Sequence, residues 1–338
     1  MKSNRIYFEL TEACNLRCKH CFNNGNNYRN LYLPIKDLIL FREKAKSAFG
    51  TDSVLTGGEP LLYPEIKLLI EKFSKDGKVL ITTNGTLLKD EDYIEMLTYS
   101  KDVFFQFSFD GAQEESFDKM RGKGVFQKVY RRIVNLCKKG FGEQIGFSMV
   151  ITKHNIHEVH SLIKMAKILG VSSIHFPTLI HEGNCIKNID IVPNVEELNS
   201  IENELINMMA DEEEIYISSN TVNNLVSTIN NNFSSCIDNP TLKISPNGNI
   251  MACPVMWKSK DRLASIYDLD CVTKVIEKLT TLKQKTIIPE ESIYYSKNLP
   301  INICEFCNLK NDYDEEAINY RCKNLCFHLN NIKKELGE

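Results

Sequence analysis

Apolar and polar residues alternate along the first half of this chain in two different periods. Short apolar runs, typical of buried parallel strands, are followed by longer segments in which apolar residues recur every three to four positions, as in amphipathic helices. The predicted strands are 5–10, 52–56, 78–83, 103–109, 145–151 and 173–177, and the predicted helices are 34–48, 64–75, 89–98, 125–139 and 156–169. This alternation predicts a parallel sheet that is covered by helices.

The number of strand–helix units narrows the predicted architecture further. Six units are too few for a complete eight-fold barrel, so the pattern predicts an α/β fold with a partial (β/α)6 TIM-like barrel. The strands at 52–56 and 78–83 both run into glycine-containing turns. In such barrels the loops at the C-terminal ends of the strands carry the chemistry. We therefore expect the functional residues in the loops that follow the strands.

The hydrophobic pattern changes after residue 185. Residues 186–232 are polar, acidic and rich in Asn, with one predicted helix at 194–211, and we expect them to connect two domains. Residues 233–338 hold seven of the twelve cysteines and show little periodicity. This composition predicts a small, loop-rich domain that metal holds together. The expected division is a partial barrel at 1–185, a connector at 186–232 and a cysteine-rich domain at 233–338.

Composition and charge exclude several classes of function. The chain has 338 residues, of which 43% are hydrophobic and 25% charged, with a formal net charge of −3 and no basic block. These values are typical of a globular protein that binds neither nucleic acid nor a membrane surface. No apolar signal segment or long apolar run is present, so we expect a cytoplasmic protein. In a reducing compartment, clustered cysteines indicate metal ligands rather than disulfides.

The most informative motif is a triplet of cysteines close to the N-terminus. Cys14, Cys18 and Cys21 have the spacing C-x3-C-x2-C. A segment this short can wrap three thiolates around one iron–sulfur cluster and leaves the fourth iron without a protein ligand, free to bind a substrate or cofactor. Zinc is the alternative, although zinc sites usually pair C-x2-C with a second pair of Cys or His ligands.

Four further motifs follow the triplet, three at the ends of predicted strands and the fourth directly before the predicted helix at 125–139. They are Gly57-Gly58-Glu59-Pro60, Thr83-Asn84-Gly85, Ser108-Phe109-Asp110-Gly111 and Arg121-Gly122-Lys123-Gly124. Paired glycines let backbone approach a ligand, a carboxylate can accept from an ammonium group, and a guanidinium can pair with a carboxylate. Each motif alone is also compatible with a tight turn, a strand-end cap or a solvated arginine.

Together with the triplet, these motifs resemble the radical S-adenosylmethionine (SAM) superfamily over residues 5–180. The resemblance implies that the triplet holds a 4Fe–4S cluster and that SAM binds its open iron. It also implies that His20 lies beside the adenine and that Arg121 pairs with the methionyl carboxylate. The implied SAM-binding residues are His20, Gly57, Gly58, Glu59, Asn84, Ser108, Asp110 and Arg121.

A second group of cysteines lies in the C-terminal third. Pro246-Asn247-Gly248 predicts a hairpin turn that returns Cys253 toward Cys236, and a C-x2-C pair follows at Cys304 and Cys307. The pattern is similar to the SPASM and twitch domains of radical SAM enzymes. That resemblance implies complete ligation of at least one auxiliary 4Fe–4S cluster by Cys236, Cys253, Cys304 and Cys307.

The last two cysteines, Cys322 and Cys326, do not match a full SPASM domain. The gap between Cys307 and Cys322 is too long, and no cysteine follows Cys326. Both residues remain candidates for catalysis as hydrogen-atom donors to a substrate radical, for cluster ligation in a reduced SPASM variant, or for neither role.

The resemblance implies a radical SAM oxidoreductase and peptide maturase. Such an enzyme reductively cleaves SAM to a 5′-deoxyadenosyl radical and abstracts a hydrogen from a ribosomally made peptide or protein, leading to a crosslink, thioether, epimerisation or dehydrogenation. Implied partners are a peptide substrate and a flavodoxin- or ferredoxin-type electron donor. Many peptide-modifying members carry a peptide-binding domain before the barrel, and we expect none here, so the peptide would bind either a separate peptide-recognition protein or the barrel mouth directly. The alternatives are a radical SAM dehydrogenase of a small-molecule alcohol and a non-catalytic iron–sulfur or zinc protein.

Overall fold

The structure, a computed structural model, describes residues 5–23, 31–177, 179–180, 183–212, 214–219, 241–252 and 262–285. Its strands are β1 (Ile6–Glu9), β2 (Ser53–Thr56), β3 (Val79–Thr83), β4 (Val103–Ser108), β5 (Ile145–Ser148), β6 (Ser173–Phe176), β7 (Tyr216–Ser219), β8 (Lys243–Ile244), β9 (Asn249–Met251) and β10 (Ala264–Ser265). Its helices are α1 (Ile35–Phe49), α2 (Ile66–Phe73), α3 (Asp90–Thr98), α4 (Glu114–Arg121), α5 (Val125–Lys138), α6 (Val159–Leu169), α7 (Asn184–Lys187), α8 (Val195–Asp211) and α9 (Cys271–Lys285). Within these ranges no helix is both long and apolar enough to cross a membrane.

All of these strands lie in one sheet with the order β10-β9-β8-β1-β2-β3-β4-β5-β6-β7. Neighbouring strands from β8 through β1 to β7 are parallel, whereas β9 and β10 are antiparallel to their neighbours. Each of the six predicted strands is present. The predicted α/β class with a parallel sheet at its centre is therefore confirmed.

The sheet extends beyond the six predicted strands on both sides. On one side, β7 pairs in parallel with β6, although its residues belong to the segment that we expected to connect two domains. On the other side, β8 pairs in parallel with β1. The sequence Tyr216-Ile-Ser-Ser219 is short and half polar, so its pattern does not distinguish a strand from a loop. The division into domains remains a prediction.

The predicted turn at Pro246-Asn247-Gly248 forms the hairpin between β8 and β9. The two strands pair antiparallel, with Ile244 opposite Ile250, and the Gly248 N–H donates to the Ser245 carbonyl at 2.9 Å. Gly248 has a φ of 81°, a left-handed conformation that glycine adopts without steric cost. The hairpin part of the prediction is confirmed, and Cys236 and Cys253 themselves lie outside the described residues.

Aromatic side chains join the helices to one face of the sheet. Phe8 of β1 contacts Phe73 of α2 at a ring distance of 5.1 Å, and Tyr93 of α3 lies 5.0 Å from Phe105 of β4. These four rings are almost completely buried. Burial of large aromatic surface is the main stabilising contribution of such a layer. Residues that alternate with Phe8 and Phe105 must therefore point to the other face of the sheet.

That other face, which we call the open face, is polar and partly exposed at the C-terminal ends of β4 to β7. Its side chains at one level of the sheet form a row across four strands: Ser108 pairs with Ser148, Ser148 with His175, and His175 with Ser218. Ser108, Ser148 and His175 are all partly exposed. Parallel sheets are usually buried and apolar on both faces. An accessible polar face is therefore the feature of this sheet that provides room for a ligand.

Candidate functional site

The cysteine triplet lies in the loop after β1, at the C-terminal edge of the parallel strands. Cys14 and Cys21 are half buried, Cys18 is buried, and all three are free thiols. The Leu16 N–H donates to the Cys14 sulfur at 3.4 Å, and the Cys21 N–H donates to the Cys18 carbonyl at 3.3 Å. Burial raises the pKa of the Cys14 and Cys18 thiols, and the nearby Cys21 raises both further. The loop thus gathers the three predicted ligands in one site.

Gly57 and Gly58 contact the cysteine loop itself. The Gly58 N–H donates to the Thr11 carbonyl at 2.7 Å, and the Glu59 N–H donates to the Ala13 carbonyl at 2.8 Å. A Cβ on Gly58 would lie 2.6 Å from the carbonyl carbon of Ala13, where no side chain fits. The glycines therefore allow the backbone after β2 to approach the backbone that leads into Cys14.

Glu59 is buried beneath this contact and accepts three hydrogen bonds from the protein. Its oxygens accept from the Thr83 hydroxyl at 2.7 Å, the Asn84 N–H at 2.8 Å and the Leu61 N–H at 3.1 Å. Burial raises the pKa of Glu59 to about 7, and the hydrogen bonds act in the opposite direction. In this conformation the carboxylate joins the loops after β2 and β3. The prediction that it contacts SAM remains untested.

Asn84 extends the same network to the first cysteine. Its amide nitrogen donates to Asn15 at 2.9 Å and lies 3.9 Å from the Cys14 sulfur. Its amide oxygen accepts from the hydroxyl of Thr86 at 2.6 Å and from the N–H of Thr86 at 2.9 Å. Asn15 in turn donates to Thr86 at 2.8 Å. The loop after β3 is thus tied to the cysteine loop by side chains on both.

Asp110, Arg121 and His20 form a buried polar cluster beside Cys18. Arg121 Nε lies 2.7 Å from Asp110 Oδ2, and His20 Nε2 lies 3.3 Å from the same oxygen. The Arg121 guanidinium also reaches the Cys18 sulfur at 3.7 Å. Asp110 is anchored by the Val150 N–H, which donates to Oδ1 at 2.9 Å. Three predicted SAM contacts, from the loop after β1, the loop after β4 and the end of α4, therefore meet at one cysteine.

This cluster is charged but poorly satisfied by hydrogen bonds. Asp110 Oδ2 and Arg121 Nε have each other as ion-pair partners at 2.7 Å but no further hydrogen bond, and His20 Nδ1 is buried without a hydrogen-bond partner. Buried polar atoms normally have partners, and those left unpaired require an explanation. Burial lowers the pKa of His20 to about 4, so its imidazole is neutral at physiological pH.

The donor set fits an iron–sulfur cluster. The donors are three cysteine thiols, and thiolates are the ligands that hold iron–sulfur clusters. Three of them, each on a different iron, would leave the fourth iron open. Burial raises the pKa of Cys18 to about 12, while Arg121 lowers it. Loading the site therefore requires that metal displace thiol protons.

Several supporting residues were not predicted from the sequence. The Asn184 side chain donates to the Cys18 carbonyl at 3.1 Å, and its N–H donates to the Cys21 carbonyl at 2.8 Å. Glu158 accepts from the N–H groups of Ala112 and Gln113 at 2.7 and 3.0 Å. Asn184 follows Gly183 at the start of α7. This glycine, which is typical of a turn, is the only sequence signal near Asn184.

The remaining predicted site residues divide into two groups. Ser108 lies at the end of β4 on the open face, next to the strand that carries Ser148. The second group of cysteines lies outside the described residues: Cys236, Cys253, Cys304, Cys307, Cys322 and Cys326. Their assigned roles remain predictions.

Comparison with known families identifies the part of the chain that carries this site. Residues 8–166 match the sequence model of the radical SAM superfamily. They form a radical SAM domain. This domain contains the triplet, the two glycines, the network around Asn84 and the cluster around Asp110.

The curated relatives match about half of the chain. The AdoMet-dependent heme synthase of Methanosarcina barkeri (strain Fusaro / DSM 804) is 31% identical over 196 residues, which is 56% of this chain and 54% of the relative. The antilisterial bacteriocin subtilosin biosynthesis protein AlbA of Bacillus subtilis (strain 168) is 28% identical over 174 residues, 50% of this chain and 38% of the relative. The chain thus spans about half the length of these relatives, or less.

A solved structure matches nearly the whole chain. Native anSMEcpe with bound AdoMet and Cp18Cys peptide has a TM-score of 0.67 and 16% sequence identity, and the match covers 98% of this chain and 99% of the other. At this identity the similarity establishes the fold. It agrees with a partial TIM-like barrel.

Proposed function

We propose that this chain is a radical SAM enzyme that modifies a peptide or protein substrate. With a reduced 4Fe–4S cluster and SAM bound, such a site supplies a 5′-deoxyadenosyl radical that abstracts a hydrogen atom from the substrate. Cys14, Cys18 and Cys21 are the proposed cluster ligands. A flavodoxin- or ferredoxin-type donor would supply the electron, and a separate recognition protein could present the peptide.

The observation that carries the proposal is the buried polar cluster beside Cys18. Arg121 offers a guanidinium and Asp110 a carboxylate, the complements of the methionyl carboxylate and ammonium groups of SAM. They pair with each other at 2.7 Å, and neither Asp110 Oδ2 nor Arg121 Nε has a further hydrogen bond from the protein. His20 adds a neutral, buried aromatic ring that can pack against an adenine, and its Nδ1 is buried without a hydrogen-bond partner. This ion pair and the unpaired imidazole nitrogen next to a cluster ligand are polar groups that a bound ligand could satisfy.

The open face supports a peptide as substrate. Its row of Ser108, Ser148, His175 and Ser218 is uncharged, because burial lowers the pKa of His175. Hydroxyl and imidazole groups both donate and accept hydrogen bonds, as binding of peptide groups requires. AlbA acts in the biosynthesis of a bacteriocin, and anSMEcpe was solved with a bound peptide. Another relative is named as a heme synthase, and heme is a small molecule. A small-molecule substrate is therefore the second outcome that the substrate test below distinguishes.

We also propose at least one auxiliary 4Fe–4S cluster, held by Cys236, Cys253, Cys304 and Cys307. The hairpin between β8 and β9 supports this, because it reverses the chain between Cys236 and Cys253. An auxiliary cluster could accept the second electron of an oxidised substrate. Cys322 and Cys326 are then free to donate a hydrogen atom or to bind a further cluster.

Iron analysis tests the number of clusters. A variant that lacks Cys14, Cys18 and Cys21 is reconstituted anaerobically, and its iron and sulfide are measured. About four irons per chain would establish one auxiliary cluster, and about eight would establish two. A variant without any iron would contradict the auxiliary-cluster proposal.

Deuterium transfer tests the substrate class. Host cells are grown in deuterated medium, and their extract is separated into a peptide fraction and a small-molecule fraction. Each fraction is incubated with the reconstituted enzyme, SAM and dithionite, and 5′-deoxyadenosine is analysed by mass spectrometry. Deuterium from the peptide fraction alone supports the proposal, whereas deuterium from the small-molecule fraction alone refutes peptide maturation. Absence of 5′-deoxyadenosine in every sample would refute the radical SAM activity itself.

A further inference from the structure

A buried arginine on α5, Arg132, holds the loop between β3 and α3. Its guanidinium donates to the carbonyl oxygens of Gly85, Leu87 and Leu88, the last two at 2.8 and 2.7 Å. Three carbonyls from four consecutive residues thus converge on one side chain. The planar guanidinium has five donors in a rigid fork, so it can hold several spaced carbonyls in fixed positions, whereas a lysine offers three donors from a single nitrogen.

The guanidinium is itself fixed from two other directions. Arg132 Nε donates to Asp90 Oδ1 at 2.8 Å, and the other Asp90 oxygen accepts from Asn135 at 2.8 Å. The guanidinium lies over the Tyr93 ring, 4.7 Å from its centre, and the Tyr93 hydroxyl donates to the Leu87 carbonyl at 3.1 Å. Arg132 is only 7% exposed. Its position is therefore determined by packing as well as by charge.

The loop that Arg132 holds is strained. Leu88 has a φ of 60°, in the left-handed region where a side chain with a Cβ is crowded by the backbone. Such conformations persist only where the surrounding structure enforces them, and they are frequent near functional sites. Arg132 binds the carbonyl of this residue directly and so helps to hold it in that conformation.

The same loop determines where the Asn84 amide lies. Thr86, which binds the Asn84 amide oxygen through its N–H and its hydroxyl, sits between the carbonyls of Gly85 and Leu87 that Arg132 holds. The Asn84 nitrogen is 3.9 Å from the Cys14 sulfur, at the outer limit of a hydrogen bond to sulfur. A small displacement of the loop would therefore break this contact.

We propose that Arg132 is a positioning residue for the cluster at the triplet, because it holds the Asn84 amide against the Cys14 sulfur. This inference rests on the proposed function, since it requires that Cys14 bind iron. Hydrogen bonds to cluster sulfurs help set the reduction potential. A donor stabilises the extra negative charge of the reduced cluster, so a looser loop is expected to make reduction less favourable.

Arg42 on α1 is a matched control within the same chain. It is 3% exposed, lies 4.7 Å from the centre of the Phe73 ring and pairs with Asp76 at 2.6 Å. It also donates to the carbonyls of Thr51 and Phe73 at 2.7 and 3.0 Å. Thr51 lies before β2, and Phe73 and Asp76 lie before β3, at the N-terminal ends of the strands. The triplet lies at the C-terminal ends of the strands. Arg42 therefore shares the structural role of Arg132 but not its connection to Cys14.

The test compares Arg132→Lys with Arg42→Lys in the reconstituted full-length chain. The cluster at the triplet is monitored through its low-temperature EPR signal, which changes when SAM is added. Its reduction is then titrated against the solution potential. We expect both variants to unfold at similarly lower urea concentration. Only Arg132→Lys should make reduction less favourable, by at least threefold, or about 28 mV for one electron.

A third variant tests the route through Asn84. Asn84→Ala removes the donor to Cys14, so adding Arg132→Lys to it should change the potential no further. Equal shifts in the two arginine variants, or additive shifts in the double variant, would overturn the proposal. Should Arg132→Lys fail to fold, Asp90→Asn and Asp76→Asn repeat the comparison with both arginines retained. A wild-type protein without a SAM-responsive signal would instead refute the proposed function on which the inference rests.

Discussion

The close approach of Gly58 to the cysteine loop predicts that Gly58→Ala damages the cluster site specifically. The new Cβ would lie 2.6 Å from the carbonyl carbon of Ala13 and 2.7 Å from the carbonyl oxygen of Glu12, whereas real Cβ atoms keep at least 3.0 Å. The loop must therefore move outward. That movement stretches the bond from Gly58 to Thr11 and the bond from Glu59 to Ala13.

The expected loss of stability follows from these contacts. Each backbone hydrogen bond contributes about 0.5–1.5 kcal/mol, and inserting a methyl group into a packed site costs about 1–3 kcal/mol. We expect the free energy of unfolding of the metal-free protein to fall by about 2–4 kcal/mol in urea titrations. We also expect the SAM-responsive EPR signal of the reconstituted protein to be largely lost, because Cys14 follows Ala13 directly.

Gly140→Ala separates this steric effect from backbone strain. Gly140 has a φ of 89°, but a Cβ there would have no atom within 4 Å. Its replacement should cost about 1–2 kcal/mol from the left-handed conformation and leave the EPR signal intact. A Gly58→Ala protein with a full signal and a stability within about 0.5 kcal/mol of wild type would refute the reasoning, because the loop could then not lie against Gly58.

Three further predictions concern the cysteines, the buried ion pair and pH. Cys14→Ala is expected to abolish formation of 5′-deoxyadenosine, whereas Cys304→Ala should leave SAM cleavage largely intact and block formation of the modified substrate. Both compounds are measured by chromatography. Normal 5′-deoxyadenosine formation by Cys14→Ala would contradict the assigned role of the triplet. Arg121→Gln leaves Asp110 buried without its partner, so it should lower the free energy of unfolding by about 3–5 kcal/mol, and replacement of the exposed Arg131 should change it little. The pKa of Glu59 is raised to about 7 in the folded metal-free protein, so the folded state binds the proton more tightly than the unfolded state does. The stability that this group contributes is complete below its unfolded value near pH 4.5 and is lost as pH rises to about 7, a change of about 3 kcal/mol at most. Glu59→Gln should be less stable overall, because the Asn84 N–H loses an acceptor. Urea unfolding at several pH values should also show a free energy of unfolding that depends less on pH than in wild type. An unchanged dependence would show that Glu59 does not titrate in this range.

The elements that could be predicted from the sequence are those with a strong local signal. The six strands are short segments rich in apolar β-branched and aromatic residues, and the hairpin after β8 has the residues that its turn requires. The helix α4 was missed because Glu114–Arg121 has only Phe117 and Met120 as apolar residues, too few to establish a period. The strand β7 was missed because it is short and half polar, and its pairing with β6 depends on the rest of the sheet.

The residue types of the site could also be predicted, but their mutual contacts could not. Asp110 and Arg121 were assigned separately to SAM, and only the folded chain shows that they pair with each other and with His20 beside Cys18. These residues come from the loop after β1, the loop after β4 and the end of α4, and the distances between these segments depend on how the chain packs. Arg132 had no signal at all, because a basic residue in an amphipathic helix usually faces solvent.

The two glycines illustrate how a correct motif can have a different physical cause. From the sequence, Gly57 and Gly58 were expected to let backbone approach a ligand. In the structure the backbone that they admit is that of Thr11 and Ala13, immediately before Cys14. The glycine motif and the cysteine triplet are therefore parts of one packed unit, joined by two backbone hydrogen bonds. Since either part is misplaced without the other, their joint occurrence is a stronger indication of a cluster site than the spacing of the cysteines alone.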